Sequence, residues 1–456
     1  MKKLKAVYFV VLICLVFSLV ACSNESNDET NVDSENGNQE NSEGESNNEA
    51  NNENGGDKTL KLSMPGGNTL LPWVADEFEK ANPDVTVDIE EYDTEFYTQN
   101  IVRLLNSEDD RPDVAWYWTT GFYPDIVESG ALIPLNDLYE SEGWNEALHQ
   151  SSIDGVTSPD GNQYAVPIEA ISSPIIYYNK KAFEEAGVEV PTTYEEMLAM
   201  GPALRDAGYI PWTSGLAEAS QATQLFDINL RRHVSEENYD KYMNHETIDF
   251  TQSDTVAMFE TIVQMSENLM EPGAAGVGAN EARQIFAQGR AAMYSDGSWQ
   301  AGPNALGGEI PDDFELGVFL YPEYREDVQE TAGYYDRTGI MAVEGSGNEE
   351  LAKEFIAFLL SYDVQSRLGE STSAFPIRSD INVEEMAELY SPAVLEIYEL
   401  VQEAGTHSLY NATWYGEYRS NATQLIQGLV TGGLTPEEMG EEFTKMLEEV
   451  QSFREE

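Results

Sequence analysis

The residues best suited to chemistry in this 456-residue chain are aromatic. Trp116, Tyr117 and Trp118 stand in a row at the end of Asp113 to Trp118, a run that reads as a β-strand. Alternation sends Trp116 and Trp118 to one face and Tyr117 to the other, so at least one ring is presented at the strand's carboxyl end. Flat rings pack against C–H surfaces, while amides and carboxylates accept hydroxyl protons. A second loop, Gly66-Gly67-Asn68, follows the strand-like run Thr59 to Met64 and offers the amide of Asn68. Asparagine also favours left-handed turns, which gives that residue a purely structural alternative.

Other chemistries lack their residues. The two cysteines, Cys14 and Cys22, both lie in the first 22 positions, so a structural disulfide, a thiolate zinc site and a cysteine nucleophile are absent from the rest. The four histidines, His149, His233, His245 and His407, are scattered without metal-ligand spacing. There is no Gly-x-Ser-x-Gly elbow and no Gly-x-x-x-x-Gly-Lys phosphate loop. With 83 acidic and 24 basic residues, a formal charge of −59 excludes a nucleic-acid surface, which depends on cations meeting phosphates. A polybasic membrane patch is excluded for the same reason.

The amino-terminal segment reads as an export signal. Lys2, Lys3 and Lys5 precede an apolar run from Ala6 to Val20, which is short for a membrane span. The run ends in Leu19-Val20-Ala21-Cys22-Ser23, resembling a bacterial lipobox in which the cysteine is diacylated, here Cys22. Residues 23–57 are almost wholly Ser, Asn, Glu, Gly, Asp and Gln, a composition expected to stay disordered as an acidic linker. That linker holds only a small part of the −59, so the acidity belongs mainly to the folded body. A saline or alkaline habitat is a plausible cause.

Beyond residue 58, strand-like and helix-like runs alternate: Val85 to Glu90 as a strand, Leu70 to Lys80 and Phe96 to Asn106 as amphipathic helices. This predicts an α/β fold with a largely parallel sheet. Ligands of such sheets sit at the carboxyl ends of strands, which singles out Gly66-Gly67-Asn68 and Trp118-Thr119-Thr120. Ile175 to Tyr178, Ala291 to Tyr294 and Gly339 to Val343 read as further strands. Helical periodicity returns at 255–269, 280–288, 349–362, 384–404, 418–429 and 436–453.

Four stretches in order carry a family resemblance. They are Gly161 to Met197 with its Tyr-Asn-Lys turn, Phe286 to Gln300 ending in Gly-x-Trp, Gly345 to Leu368, and the lipobox with its linker. Together they resemble the sugar-binding group of extracellular solute-binding proteins of bacterial ATP-driven (ABC) importers, the group that includes maltose-binding protein. The resemblance covers about 59–450. It implies an α/β, two-lobed periplasmic-binding-protein-like fold of type II, with hinge crossings near Ile168–Ala170, Tyr334–Thr338 and 381–390. The lobes would be 58–168 with 335–380, and 169–334 with 381–456. A carbohydrate would lie in the cleft, and a permease would recognise the closed form.

The resemblance also nominates side chains. Trp299, in Gly297-Ser298-Trp299, matches the family's ring-stacking tryptophan, and Trp414-Tyr415 matches its cleft aromatics. Glu169 falls on an inter-lobe strand, where it would accept sugar hydroxyls or pair with an arginine such as Arg337. Tyr334 and Asp336 share a face beside another crossing. With Asn68, Trp116, Tyr117 and Trp118 these form the expected ligand set. The reading is of a monomeric, lipid-anchored binder on the outer face of the cell membrane, with no cofactor, no metal, no catalytic residue and no nucleic-acid partner. Its rivals are a surface glycan-active enzyme, an adhesin lipoprotein, and an importer component for a non-sugar solute.

Overall fold

Alternating burial builds the first sheet. In Lys58–Pro65, Leu60, Leu62 and Met64 are fully buried, and the helix that follows, Leu70–Ala81, packs Leu71, Val74, Ala75 and Phe78 inward. The computed structural model describes residues 58–454, apart from 120–122, 159, 244–245, 303–305, 307–309, 312, 326–327, 329–330, 336–337 and 415–416. The strands it describes are β1 (Lys58–Pro65), β2 (Val85–Tyr92), β3 (Val114–Trp118), β4 (Val166–Pro167), β5 (Ile171–Ser172), β6 (Ile175–Asn179), β7 (Ile210–Thr213), β8 (Ala291–Asp296), β9 (Leu316–Phe319), β10 (Ala332–Tyr335), β11 (Thr338–Ala342) and β12 (Thr406–Ser408).

These form three sheets. The first has the order β2-β1-β3-β11-β4, with β1 parallel to both β2 and β3, and β11 antiparallel to β3 and β4. Helix Thr94–Leu105 completes its second crossover, tied down where the Tyr97 hydroxyl lies 3.0 Å from the Ser63 and Trp116 carbonyl oxygens. The second sheet has the order β7-β8-β6-β9. The third, β12-β10-β5, is short and joins the other two in sequence: β4 leads through Ile168–Ala170 to β5 and then β6, while β10 leads on to β11.

The second sheet owes its position to helices the sequence marks clearly and to one it does not. Thr193 and Glu196 form a reciprocal capping box at the start of Tyr194–Asp206. Asn179 caps Lys180–Ala186, which stops at Gly187 in the left-handed region (φ 68°). Helix Ala219–His233 is buried on nearly every side, including Asp227, Arg231, Arg232 and His233. It lacks an apolar stripe because its polar groups are bonded inside: Asp227 accepts from the Tyr410 amide at 2.7 Å, and Arg232 Nε donates to the Tyr321 and Pro322 carbonyls at 3.1 Å.

Residues 365–404 run from the first sheet to the second. Gln365 bonds the Ile168 carbonyl and the Ile377 amide, and Ala170 and Phe375 exchange backbone hydrogen bonds of 2.9 and 2.8 Å. The Ser379 amide bonds Ala147. A 3-10 helix, Val383–Leu389, occupies the place expected for a third hinge crossing. Ser391 then donates to Ala301 at 2.8 Å, and helix Pro392–Ala404 packs on β9. The strand that this end of the chain contributes to the crossing sheet is β12, farther along. Among the described residues no helix is long and apolar enough to cross a membrane.

Gly333 in β10 shows how tightly the crossing sheet is built. A β-carbon there would fall 2.0 Å from the Ser173 carbonyl oxygen, which is backbone and cannot swing aside. Gly333→Ala is expected to cost about 1–3 kcal/mol as an overpacking strain, read as a lower midpoint in chemical denaturation with an unchanged slope.

Candidate ligand site at the strand crossings

The carboxyl end of β3 carries the aromatic row. Trp116 and Trp118 meet edge to face at 4.6 Å, Trp118 half-buried and Trp116 buried with its indole N–H unbonded. Tyr117, on the opposite face, is 1% exposed, packs against Tyr97 and places its hydroxyl 3.5 Å from the Thr98 carbonyl. Period-two alternation therefore puts Tyr117 in the core, not on the ligand side. Asn68 has a structural role, though as a helix-end acceptor: its Oδ1 accepts from the Leu71 amide at 2.9 Å at the entrance of helix Leu70–Ala81.

Glu169 lies between β4 and β5. Its side chain is 7% exposed, and it has no hydrogen-bond or ion-pair partner among the described residues. Burial alone pushes its carboxyl up to about 7. The neighbouring Ala170 is locked to Phe375, and the Tyr390 phenol, raised first by burial, also feels the Glu169 charge. No arginine or lysine offsets this carboxyl among the described residues.

Trp299 sits just past β8 and is 36% exposed. Its ring lies across Gly297 so closely that a β-carbon there would fall 2.1 Å from it. The turn beneath is fixed from several sides. Tyr177 donates to the Gly297 carbonyl at 2.7 Å, and the Ser172 amide donates to Ser298 Oγ at 3.1 Å. Buried Asp296 accepts from the Gly297 amide at 2.9 Å, Tyr294 Oη at 2.6 Å, Gln300 Nε2 at 3.0 Å and Gln221 Nε2 at 3.2 Å. Burial raises the Asp296 carboxyl, and these donors oppose the rise.

Register brings three of the expected residues to one place. Thr338 pairs with Trp118, Gly339 pairs with Pro167, and Ser298 is bonded to Ser172. Trp118, Glu169 and Trp299 thus all lie on or next to segments that these bonds tie together where the first and second sheets are joined. The Tyr334 backbone pairs with Ser172 and Ser408 in the middle of the crossing sheet. Asp336, Tyr415 and Cys22 lie outside the described residues. Trp414 does not join the site. It is 3% exposed among Phe226, Tyr410, Tyr418 and Phe443, with ring centroids 5.1–5.8 Å away, because helices 219–233, 417–430 and 436–454 enclose a space only a large ring fills.

Asp296, Ser298 and Ser172 went unnoticed in the sequence, although the carboxylate next to Gly-x-Trp was a visible signal. Partly open aromatic rings and a buried acceptor with no partner among the described residues suit an uncharged ligand rich in hydroxyls. Glycosidic hydrolysis would need two available carboxyls. Beside Trp299, the Asp296 carboxyl is already occupied by four donors. No cluster of potential metal ligands occurs among the described residues.

Residues 63–366 match the family pattern of bacterial extracellular solute-binding proteins. An osmoprotective compounds-binding protein of Synechocystis sp. is 33% identical over 141 residues, which is 30% of this chain and 33% of that protein. An alpha-glucosides-binding periplasmic protein of Rhizobium meliloti is 31% identical over 210 residues, 43% of this chain and 45% of that one. The chain thus spans less than half the length of these two curated relatives. Among solved structures, a chitin oligosaccharide binding protein superposes with a TM-score of 0.75 at 20% identity, covering 86% of this chain and 99% of its own. The fold is accordingly the two-lobed, periplasmic-binding-protein-like α/β fold.

Glu169 predicts a pH signature. Its folded value, about 7, stands above the carboxylate reference of 4.5, so the folded chain holds the proton more tightly than the unfolded one. Stability therefore falls as pH rises from about 4.5 to about 7, by an amount on the order of 3 kcal/mol. Glu169→Gln removes this loss: denaturation should find variant and wild type alike near pH 4, and the variant more stable at pH 8.

Proposed function

The chain belongs to the bacterial extracellular solute-binding proteins, and on that premise we propose that it captures a carbohydrate, an oligosaccharide, for an ATP-driven importer. The ligand lies between the lobes, and these close on it by bending at the crossing strands. We assign 58–168 with 335–380 to one lobe and 169–334 with 381–456 to the other. The observation that carries the reading is that strand pairing and the Ser172–Ser298 bond tie together the segments bearing Trp118, Glu169 and Trp299, with Glu169 buried and without a partner among the described residues. Two rings contact the C–H faces of sugar units while the carboxyl accepts hydroxyl protons. The alpha-glucosides-binding relative supports a sugar as the ligand class. Permease subunits supply ATP-coupled movement, and the chain itself requires no cofactor. It acts as a monomer.

Trp299→Ala tests the site. Loss of an aromatic anchor should weaken sugar binding by about 2 kcal/mol, roughly thirtyfold, in calorimetric titration. The ring is a third exposed, so the loss of folding stability should fall below the ~3–5 kcal/mol typical of a buried tryptophan. A large drop in melting temperature with unchanged affinity would make Trp299 a core residue. The sugar is found first from melting-temperature shifts across a panel of mono- and oligosaccharides, since binding to the folded state alone raises the midpoint.

The export segment is part of the same proposal. Acylation at Cys22, with two chains, holds the protein at the outer face of the cell membrane, and residues 23–57 act as its tether. Cys22→Ala should release the protein from intact cells into the medium. Retention of the variant in the membrane fraction would sink the anchor.

A further inference from the structure

An unbroken series of aromatic rings crosses the first sheet at its carboxyl edge. From Trp116 it passes to Trp118 (4.6 Å between centroids), Tyr117 (5.6 Å), Tyr97 (6.1 Å), Tyr92 (5.6 Å) and Phe96 (5.8 Å). The middle members, Tyr117 and Tyr97, are buried. Trp118, second in the series, is half-buried, and Phe96, its last ring, is 42% exposed, more open than Trp299. Phe96 lies nearly parallel to Tyr92, with 18° between the planes, so the pair forms a flat two-ring shelf.

The shelf is held in place. Tyr92 closes β2, its carbonyl accepts the Gly66 amide at 2.8 Å, and its hydroxyl donates to Glu90 at 2.5 Å. The Phe96 amide donates to Asp93 Oδ1 at 3.1 Å, fixing the first turn of helix Thr94–Leu105. Acceptors at Glu90 and Asp93 therefore flank the rings. β2 and β3 are separated by β1 alone, so the strand ends that carry Tyr92 and Trp118 lie about 10 Å apart, two strand spacings. Both lie at carboxyl ends of parallel strands, the edge where ligands of such sheets collect.

We propose that Phe96, backed by Tyr92, is an outer stacking subsite for the far end of a carbohydrate chain whose near end lies at Trp118 and Trp299. The inference rests on the carbohydrate reading above and adds a length to it: the ligand extends past the inner rings. An exposed ring packed on a second ring is already ordered, so a sugar that lands on it does not have to immobilise it. Flanking carboxylates accept hydroxyls from the same sugar unit.

Calorimetric titration with malto-, cello-, xylo- and chito-oligosaccharides of two to six units tests this on the wild type, Phe96→Ala and Trp118→Ala. In a series that binds, wild-type affinity should rise with chain length. Phe96→Ala should lose about tenfold for the longer members and leave the shortest binder unchanged. Trp118→Ala should weaken every length. Equal affinity of Phe96→Ala and wild type at all lengths overturns the outer subsite while leaving carbohydrate binding intact. So does a loss that is the same for every length, which would place Phe96 at the inner site. If no series binds the wild type, the carbohydrate reading itself fails. Phe96 is a surface ring, so the variant should keep the wild-type melting temperature, and that measurement separates lost contact from lost fold.

Discussion

The site depends on hydrogen bonds made by very few residues at the strand crossings. Ala170 and Phe375 exchange two backbone bonds, and the Ser172 amide reaches Ser298. A two-residue strand, β5, and a four-residue strand, β10, carry the chain between two larger sheets. Backbone polar groups buried at such a junction must find partners, and here they find them across segments distant in sequence. This junction sets the placement of Trp118 relative to Trp299, because the first ends a strand of the first sheet and the second lies just past β8 of the second sheet. Glu169, next to Ala170, is part of the joint itself.

Those long-range pairings explain what could and could not be read from the sequence. Strands β1, β2, β3, β6 and β8 are legible because alternation or continuous apolar runs reveal them locally, and helices such as Tyr194–Asp206 announce themselves by their caps. Helix Ala219–His233 is hidden, since its buried Asp227, Arg231 and Arg232 break the apolar pattern that burial normally writes. Strand β12 is three residues long and exists only through its pairing with β10, so no local signal marks it. The single helical run expected over 384–404 divides at Ser391-Pro392 into a 3-10 helix and an α-helix, as proline at a first helical position permits.

For the site, residue type was a good guide and orientation a poor one. Trp116, Tyr117 and Trp118 stand in sequence as equals, yet the sheet assigns Tyr117 to the core and leaves Trp118 half-open. Trp414 has the composition of a binding residue and the surroundings of a packing residue. What separates it from Trp299 is the neighbour each ring meets: three helices in one case, one glycine in the other. The dense acidity tells little about the candidate site, where among the described residues buried Asp296 is held by four donors and buried Glu169 by none.

Gly297 has a further consequence. By lacking a β-carbon it lets the Trp299 indole lie flat on the main chain, beneath which Tyr177, Asp296 and Ser172 hold the turn still. The rotational freedom of that side chain is surrendered when the protein folds rather than when a ligand arrives. Association then meets a rigid plane, and less of the contact energy is consumed in freezing it. In the proposed site such a surface discriminates by fit alone: a ring with an axial substituent cannot persuade the indole to turn aside, so the steric demand of the backbone glycine is passed on to the stereochemistry of whatever docks above it.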